Sequence, residues 1–145
     1  MRIRDVLRKK GTDVYTVEPG ESVPVLVDRL NERRIGALVV LGAGGEVAGI
    51  VTERDVLRNY GRCVGAEDDL PVRVADIMTT ELIIGVPDDE LQYAIRVMTR
   101  ERIRHLPIIE DGKLAGIISI GDIVKATMDE IEFENRMLKD YIQTS

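Results

Sequence analysis

With 145 residues, 44% of them hydrophobic and 32% charged, the chain has a globular composition and length for one domain or two very small ones packed together. A formal net charge of −6 argues against a nucleic-acid or membrane-surface binder, because phosphate surfaces demand a basic footprint. A single cysteine, Cys63, and a single histidine, His105, exclude an internal disulfide and a His/Cys zinc cluster, and the scarcity of aromatic residues leaves aliphatic cores and few base-stacking platforms.

No run is long enough to span a bilayer and no signal-type apolar region follows Met1, so the expectation is a cytoplasmic chain. In chain order, Asp5 to Arg8 reads as a short helix and Val14 to Val17 as a short strand. Pro19-Gly20-Glu21-Ser22 then signals a helix start. Val23, Leu26, Val27 and Leu30 fall at helical spacing, giving an amphipathic helix. Ala37 to Leu41 and Val47 to Val51 are aliphatic runs joined by the turn Gly42-Ala43-Gly44-Gly45, a hairpin signal, and a helix follows.

The same order then repeats. Val74 to Met78 is a short helix, Leu82 to Val86 a short strand, and Leu91, Ala94, Ile95 and Met98 an amphipathic helix. Leu106 to Ile109 and Leu114 to Ile118 form a hairpin around Glu110-Asp111-Gly112-Lys113, again followed by a helix. The unit is β-α-β-β-α used twice, over residues 1–65 and 66–145, with Cys63 to Pro71 as a polar connection; the first copy is longer near Lys9-Lys10-Gly11. The last helix runs on to Ile142, with Val124, Met128, Ile131, Leu138 and Ile142 at alternating spacings of four and three and Asn135 in the same stripe. That heptad-like face either packs back on its own subunit or makes a dimer contact whose register Asn135 helps set.

Two stretches carry the candidate chemistry. Gly49-Ile50-Val51-Thr52-Glu53-Arg54-Asp55 recurs as Gly116-Ile117-Ile118-Ser119-Ile120-Gly121-Asp122, each a buried strand entering a helix. A helix start favours an anion, the Thr or Ser hydroxyl can donate to it, and the aspartate can accept from a sugar's adjacent hydroxyls. Ordinary N-capping explains one such copy equally well; two copies at matching places weigh toward a ligand. No nucleophile–base pair and no Walker lysine accompanies them, which argues against an enzyme.

Gly-Ile-Val-Thr-Glu-Arg-Asp after the first hairpin, Arg-Ile-Arg-His-Leu-Pro-Ile-Ile opening the second and Gly-Ile-Ile-Ser-Ile-Gly-Asp after it resemble a cystathionine β-synthase (CBS) domain pair, or Bateman module. The resemblance covers essentially the whole chain and implies an α/β protein in which tandem CBS repeats pack as one pseudo-twofold module, here with an extended C-terminal helix. It implies a stand-alone, non-enzymatic regulatory protein that needs no cofactor and binds an adenosine-containing ligand in clefts between the repeats. The ligand class is AMP, ADP or ATP, with S-adenosylmethionine and NAD(H) as alternatives. A homodimer and an unidentified regulated protein are the implied partners; the competing reading is a ligand-free dimerisation module with vestigial clefts.

Carried over by the resemblance, Asp55 with Thr52 and Asp122 with Ser119 take ribose and phosphate, while Ile50, Val51, Ile117 and Ile118 are the nearest candidates for the base. Basic residues opening the second strand of the opposite repeat are implied to meet phosphate. That place holds Arg104-His105 in the second repeat and Gly36-Ala37 in the first, so Arg104 and His105 are expected to complete the Thr52/Asp55 cleft. A charge-assisted contact contributes on the order of 1.5–3 kcal/mol, which separates the clefts by roughly tenfold to several hundredfold. Lys10 is expected near the weaker cleft, partly compensating it. Arg100 and Arg102 either join the basic cluster or decorate a helix end.

Overall fold

The computed structural model of the protein describes residues 1–11, 13–65 and 72–144. The elements in order are α1 (Ile3–Lys10), β1 (Thr16–Val17), α2 (Val23–Arg33), β2 (Ala37–Leu41), β3 (Val47–Thr52), α3 (Glu53–Arg58), α4 (Tyr60–Gly65), α5 (Val74–Ile77), α6 (Leu91–Glu101), β4 (His105–Glu110), β5 (Lys113–Ser119) and α7 (Ile120–Thr144). Of the expected polar connection, Cys63 to Gly65 closes α4, and residues 66–71 lie outside the described residues.

Two compact units divide the chain. One, here the Asp55 unit, comprises Asp13–Ile84 with Glu110–Leu114; the other, the Asp122 unit, comprises Met1–Thr12, Gly85–Ile109 and Ala115–Ser145. Each unit therefore takes its leading helix from the other repeat. In the Asp55 unit, Val74 and Ile77 of α5 are buried in one core with Val17, Val23, Leu26, Leu30, Leu38, Val40 and Val51. Arg73 opens α5 under a cap in which its N–H donates to Asp76 Oδ2 at 2.9 Å, and its guanidinium donates to Gly20 O. The Asp122 unit repeats this with α1: Arg2 N–H donates to Asp5 Oδ2 at 2.9 Å and the Arg2 guanidinium donates to Asp88 O. Ile3, Val6 and Leu7 of α1 are buried there.

The sheet of the Asp55 unit has the order β1-β2-β3, with β1 parallel to β2 and β2 antiparallel to β3. In the Asp122 unit β4 and β5 form the hairpin, and the strand expected over Leu82 to Val86 is reduced to one parallel bridge between Gly85 and Ile108. Gly85 N–H donates to Pro107 O and Ile109 N–H to Gly85 O, each at 2.9 Å. Pro87, two residues on, has no N–H with which to lengthen the ladder. The first short strand is likewise trimmed, to Thr16–Val17. The hairpin turns behave as their residues require: Asp111 and Gly112 take φ of 52° and 76°, the left-handed pair of a two-residue turn.

Helices α2 and α6 end alike, at Arg34 (φ 54°) and Arg102 (φ 55°) in the left-handed conformation. Arg102 is thus a helix cap, and Arg100 sits in the last turn of α6, where its Nε donates to Glu101 at 3.2 Å. The helix expected after the first hairpin is broken at Asn59, whose side-chain amide donates to Asp55 O at 2.7 Å and ends α3. The counterpart α7 meets no such stop and continues for 25 residues. Its stripe does not pack back: Val124, Met128, Ile131, Leu138 and Ile142 are each more than half exposed.

Candidate functional site: two capped aspartates and their neighbours

Both repeats deliver the Thr/Ser and Asp of the motif in the same geometry. Thr52 N–H donates to Asp55 Oδ2 at 2.9 Å while Asp55 N–H donates to Thr52 Oγ1 at 3.2 Å. Ser119 N–H donates to Asp122 Oδ2 at 2.8 Å and Asp122 N–H to Ser119 Oγ at 3.1 Å. These reciprocal caps fix each carboxylate at a strand-to-helix junction. In each the cap is anchored through Oδ2.

The strand that lies beside each motif is the one the repeat predicts. Glu53 N–H donates to Gly36 O and Ile120 N–H to Arg104 O, both at 3.0 Å. Ala37 pairs in register with Thr52. Gly36 and Ala37 therefore accompany Thr52/Asp55 within the Asp55 unit, and Arg104 and His105 accompany Ser119/Asp122 within theirs. Arg104 is exposed and His105 half-buried.

The four base-contact candidates separate by strand alternation. Val51 and Ile118 turn inward and are fully buried, so their side chains belong to the core and their backbone is what they offer to a ligand. Ile50 and Ile117 point the other way. Ile50 is 9% exposed, and Ile117 is half-buried.

The main difference between the half-sites lies in a residue that sequence reading did not select, Thr79, and in one that it did, Lys10. Thr79 N–H donates to Ile50 O at 2.8 Å, and its hydroxyl lies 3.4 Å from Asp55 Oδ1. Lys10 Nζ makes the corresponding contacts in the other unit, donating to Ile117 O and to Asp122 Oδ2, both at 2.7 Å. A neutral hydroxyl residue and an ammonium thus play the same structural part, since each satisfies a strand carbonyl and touches the motif aspartate. The longer first copy makes the substitution necessary, since α1 runs to Lys10 where α5 stops at Ile77 and the chain bridges to the strand through Thr79. Alignment of the leading helices, Asp5-Val6-Leu7 with Asp76-Ile77-Met78, sets Thr79 against Arg8 and not against Lys10, so the sequence carries no direct signal for Thr79.

The electrostatics follow. Burial pushes the Asp122 carboxyl up, but the Lys10 ammonium and the Ser119 N–H outweigh it, and its pKa lies below the ordinary 3.8. Among the described residues Asp55 has no cation within ion-pair distance. No group of His, Cys, Asp or Glu among those residues could hold a metal ion.

Paired β-α-β-β-α repeats, each ending its hairpin in a capped Thr/Ser–Asp motif, define a tandem-repeat α/β protein with one capped carboxylate per repeat. The family model for the CBS domain matches residues 3–62 and 74–129, and the chain belongs to that family. It is 37% identical over 149 aligned residues to the mitochondrial CBS domain-containing protein CBSX3 of Arabidopsis thaliana, covering 97% of this chain and 71% of that protein. Among solved structures it is similar to the CBS-domain containing protein ATU1752 from Agrobacterium tumefaciens, with 39% identity, a TM-score of 0.79, and coverage of 87% of this chain and 92% of that one. The structure of CBSX2 in complex with AMP shares the fold at 23% identity and a TM-score of 0.72, covering 88% of this chain and 97% of that one.

Proposed function

We propose that the protein is a non-enzymatic sensor of an adenosine-containing ligand of the AMP, ADP or ATP class, acting as a homodimer whose change on binding is read by another protein. The observation that supports it best is the duplicated capped aspartate. A carboxylate held by its own backbone through Oδ2 at a helix start suits a ribose diol with an anion nearby. The AMP bound by CBSX2 belongs to that ligand class, although that likeness is one of fold. S-adenosylmethionine and NAD(H) present the same diol. Such a ligand shifts a conformational equilibrium only by its differential affinity for the two states.

The half-sites are proposed to be unequal, with Thr52/Asp55 the tighter. Among the described residues Asp55 meets neutral donors, the Thr52 N–H and hydroxyl and the Thr79 hydroxyl, whereas a ligand at Asp122 competes with the Lys10 ammonium for the same carboxylate. Arg104 and His105 are retained as the phosphate contacts on their charge and place in the repeat. No helix among the described residues is long and apolar enough to cross a membrane.

Calorimetric titration of the whole chain with AMP, ATP, S-adenosylmethionine and NADH, repeated on Asp55→Ala and Asp122→Ala, tests the proposal. Asp55→Ala is expected to remove the tighter site and Asp122→Ala the weaker one. Absence of heat with all four ligands would favour the dimerisation module with vestigial clefts.

A further inference from the structure

Residues 130–144 of α7 lie beyond the stretch matched by the CBS family model, so the family fold does not explain them. On a heptad frame Met128, Asn135 and Ile142 occupy the a positions and Val124, Ile131 and Leu138 the d positions, with the five apolar members each more than half exposed. At its root the stripe runs into an apolar groove between α6 and α7 lined by Ile95, Met98, Ile120, Ile123, Val124 and Met128. Lys125, Glu132 and Lys139 fall at e; Thr127, Glu134 and Tyr141 fall at g.

We propose that α7 forms a parallel two-stranded coiled coil with α7 of a second copy of this chain. The inference rests on the homodimer proposed above and adds its orientation. In a parallel pair each a residue faces its own copy, so Asn135 meets the partner's Asn135 and the two amides satisfy one another. The g position then faces the partner's next e position, which sets Glu134 against the partner's Lys139, twice by symmetry. An antiparallel pair that keeps the stripe in contact sets Asn135 against the partner's Ile131 and leaves a buried amide without a partner. It also brings e against e and g against g: Lys125 with the partner's Lys139, Glu132 with the partner's Glu132, Glu134 with the partner's Glu134. Every charged flanking pair is then of like sign. The self-pairing asparagine and the reciprocal Glu–Lys contacts are what select a second copy as the occupant. Phe133 and Met137, at f and c, lie outside such a pair and serve as controls.

The test uses the full chain carrying Cys63→Ser, with sedimentation equilibrium for mass and mild oxidation for orientation. Ile142→Cys is expected to cross-link to itself in a parallel dimer. In an antiparallel dimer two such cysteines sit about 27 Å from each other along the helix axis, and only a mixture of Ile142→Cys with Val124→Cys cross-links. Glu134→Lys or Lys139→Glu alone should weaken the dimer roughly tenfold, and mixing the two variants should restore it. Phe133→Ala should leave its affinity within about twofold. A dimer that cross-links only as the mixed pair overturns the parallel arrangement while leaving the homodimer standing; a monomeric wild type overturns both. Loss of the dimer in Phe133→Ala with none in Glu134→Lys places the contact on the other face and also overturns it.

Discussion

Lys10 and Thr79 take equivalent contacts in the two units, and the exchange of an ammonium for a hydroxyl decides how much each motif aspartate has left to offer. The Lys10–Asp122 pair is partly exposed, with side chains 31% and 25% accessible, so its worth is nearer the exposed range, about 1 kcal/mol. That is roughly fivefold in affinity for a neutral diol competing with it. Adenosine isolates this competition because it brings no phosphate for Lys10 to attract. In an Asp55→Ala background Lys10→Thr should tighten adenosine binding about fivefold, and in an Asp122→Ala background Thr79→Lys should weaken it by a similar factor. Calorimetry showing both changes absent would separate Lys10 from ligand selection. The pair also makes a pH signature. Because the folded pKa of Asp122 is depressed, its contribution to stability is present above the unfolded value of about 3.9 and is lost as pH falls through the lower folded value. In urea unfolding, the stability gap between wild type and Asp122→Asn should hold steady from pH 7 to about 5 and close below about pH 4. A gap that persisted into acid would mean that the carboxylate's ionisation is not what stabilises the fold.

At the scale of elements, the motif glycines show why each leading segment lies where it does. A Cβ at Gly49 would stand 2.7 Å from the Thr79 carbonyl oxygen and 3.1 Å from Met78 Sδ; one at Gly116 would stand 2.7 Å from Leu7 Cδ2. Both glycines admit a close approach, but the obstacles differ. A leucine methyl can shift, whereas the Thr79 carbonyl is held by the Ile50 N–H at 3.0 Å. Gly49→Ala should therefore cost about 1–3 kcal/mol, more than Gly116→Ala. Urea denaturation of the two variants measures the difference, and equal costs would contradict the account. The hairpins, the amphipathic helices and the twin motifs were legible because each is written in local residues: Asp111-Gly112 dictates its turn, and Val23, Leu26 and Leu30 dictate their face. The Asp122 neighbourhood was legible in part, since the excess at Lys9-Lys10-Gly11 pointed to Lys10. Less local features were not. Nothing in Leu82 to Val86 itself reveals that its ladder is cut to one bridge, and nothing in Val51 or Ile118 separates a core residue from a base contact until the strand's facing is known. The neighbours of a leading helix are set by packing that a repeat does not encode.

For the molecule as a whole, the exchange of leading helices decides how the chain can be divided. The CBS family model matches residues 3–62 and 74–129, and each compact unit draws residues from both matches. A fragment of residues 1–65 retains the sheet β1-β2-β3 but loses Val74 and Ile77, which fill the core beside Leu26, Leu38 and Val51, and it carries α1 with Ile3, Val6 and Leu7 stripped of their cover. A fragment of residues 13–84 keeps its own core, including the Arg73–Asp76 cap and the bridge between Ile50 and Thr79. Removing two large buried aliphatic side chains costs about 2–5 kcal/mol each, which approaches the whole stability of a domain this small. Residues 13–84 should therefore show a cooperative thermal transition by circular dichroism, and residues 1–65 should not. Supplying residues 72–84 in trans should restore part of the transition to 13–65, because the missing piece is a core element and not a linker. Cooperative unfolding of 1–65 alone would show that α1 can cover the face that α5 covers here, and the exchange of leading helices would then be one of two packings open to the same repeat.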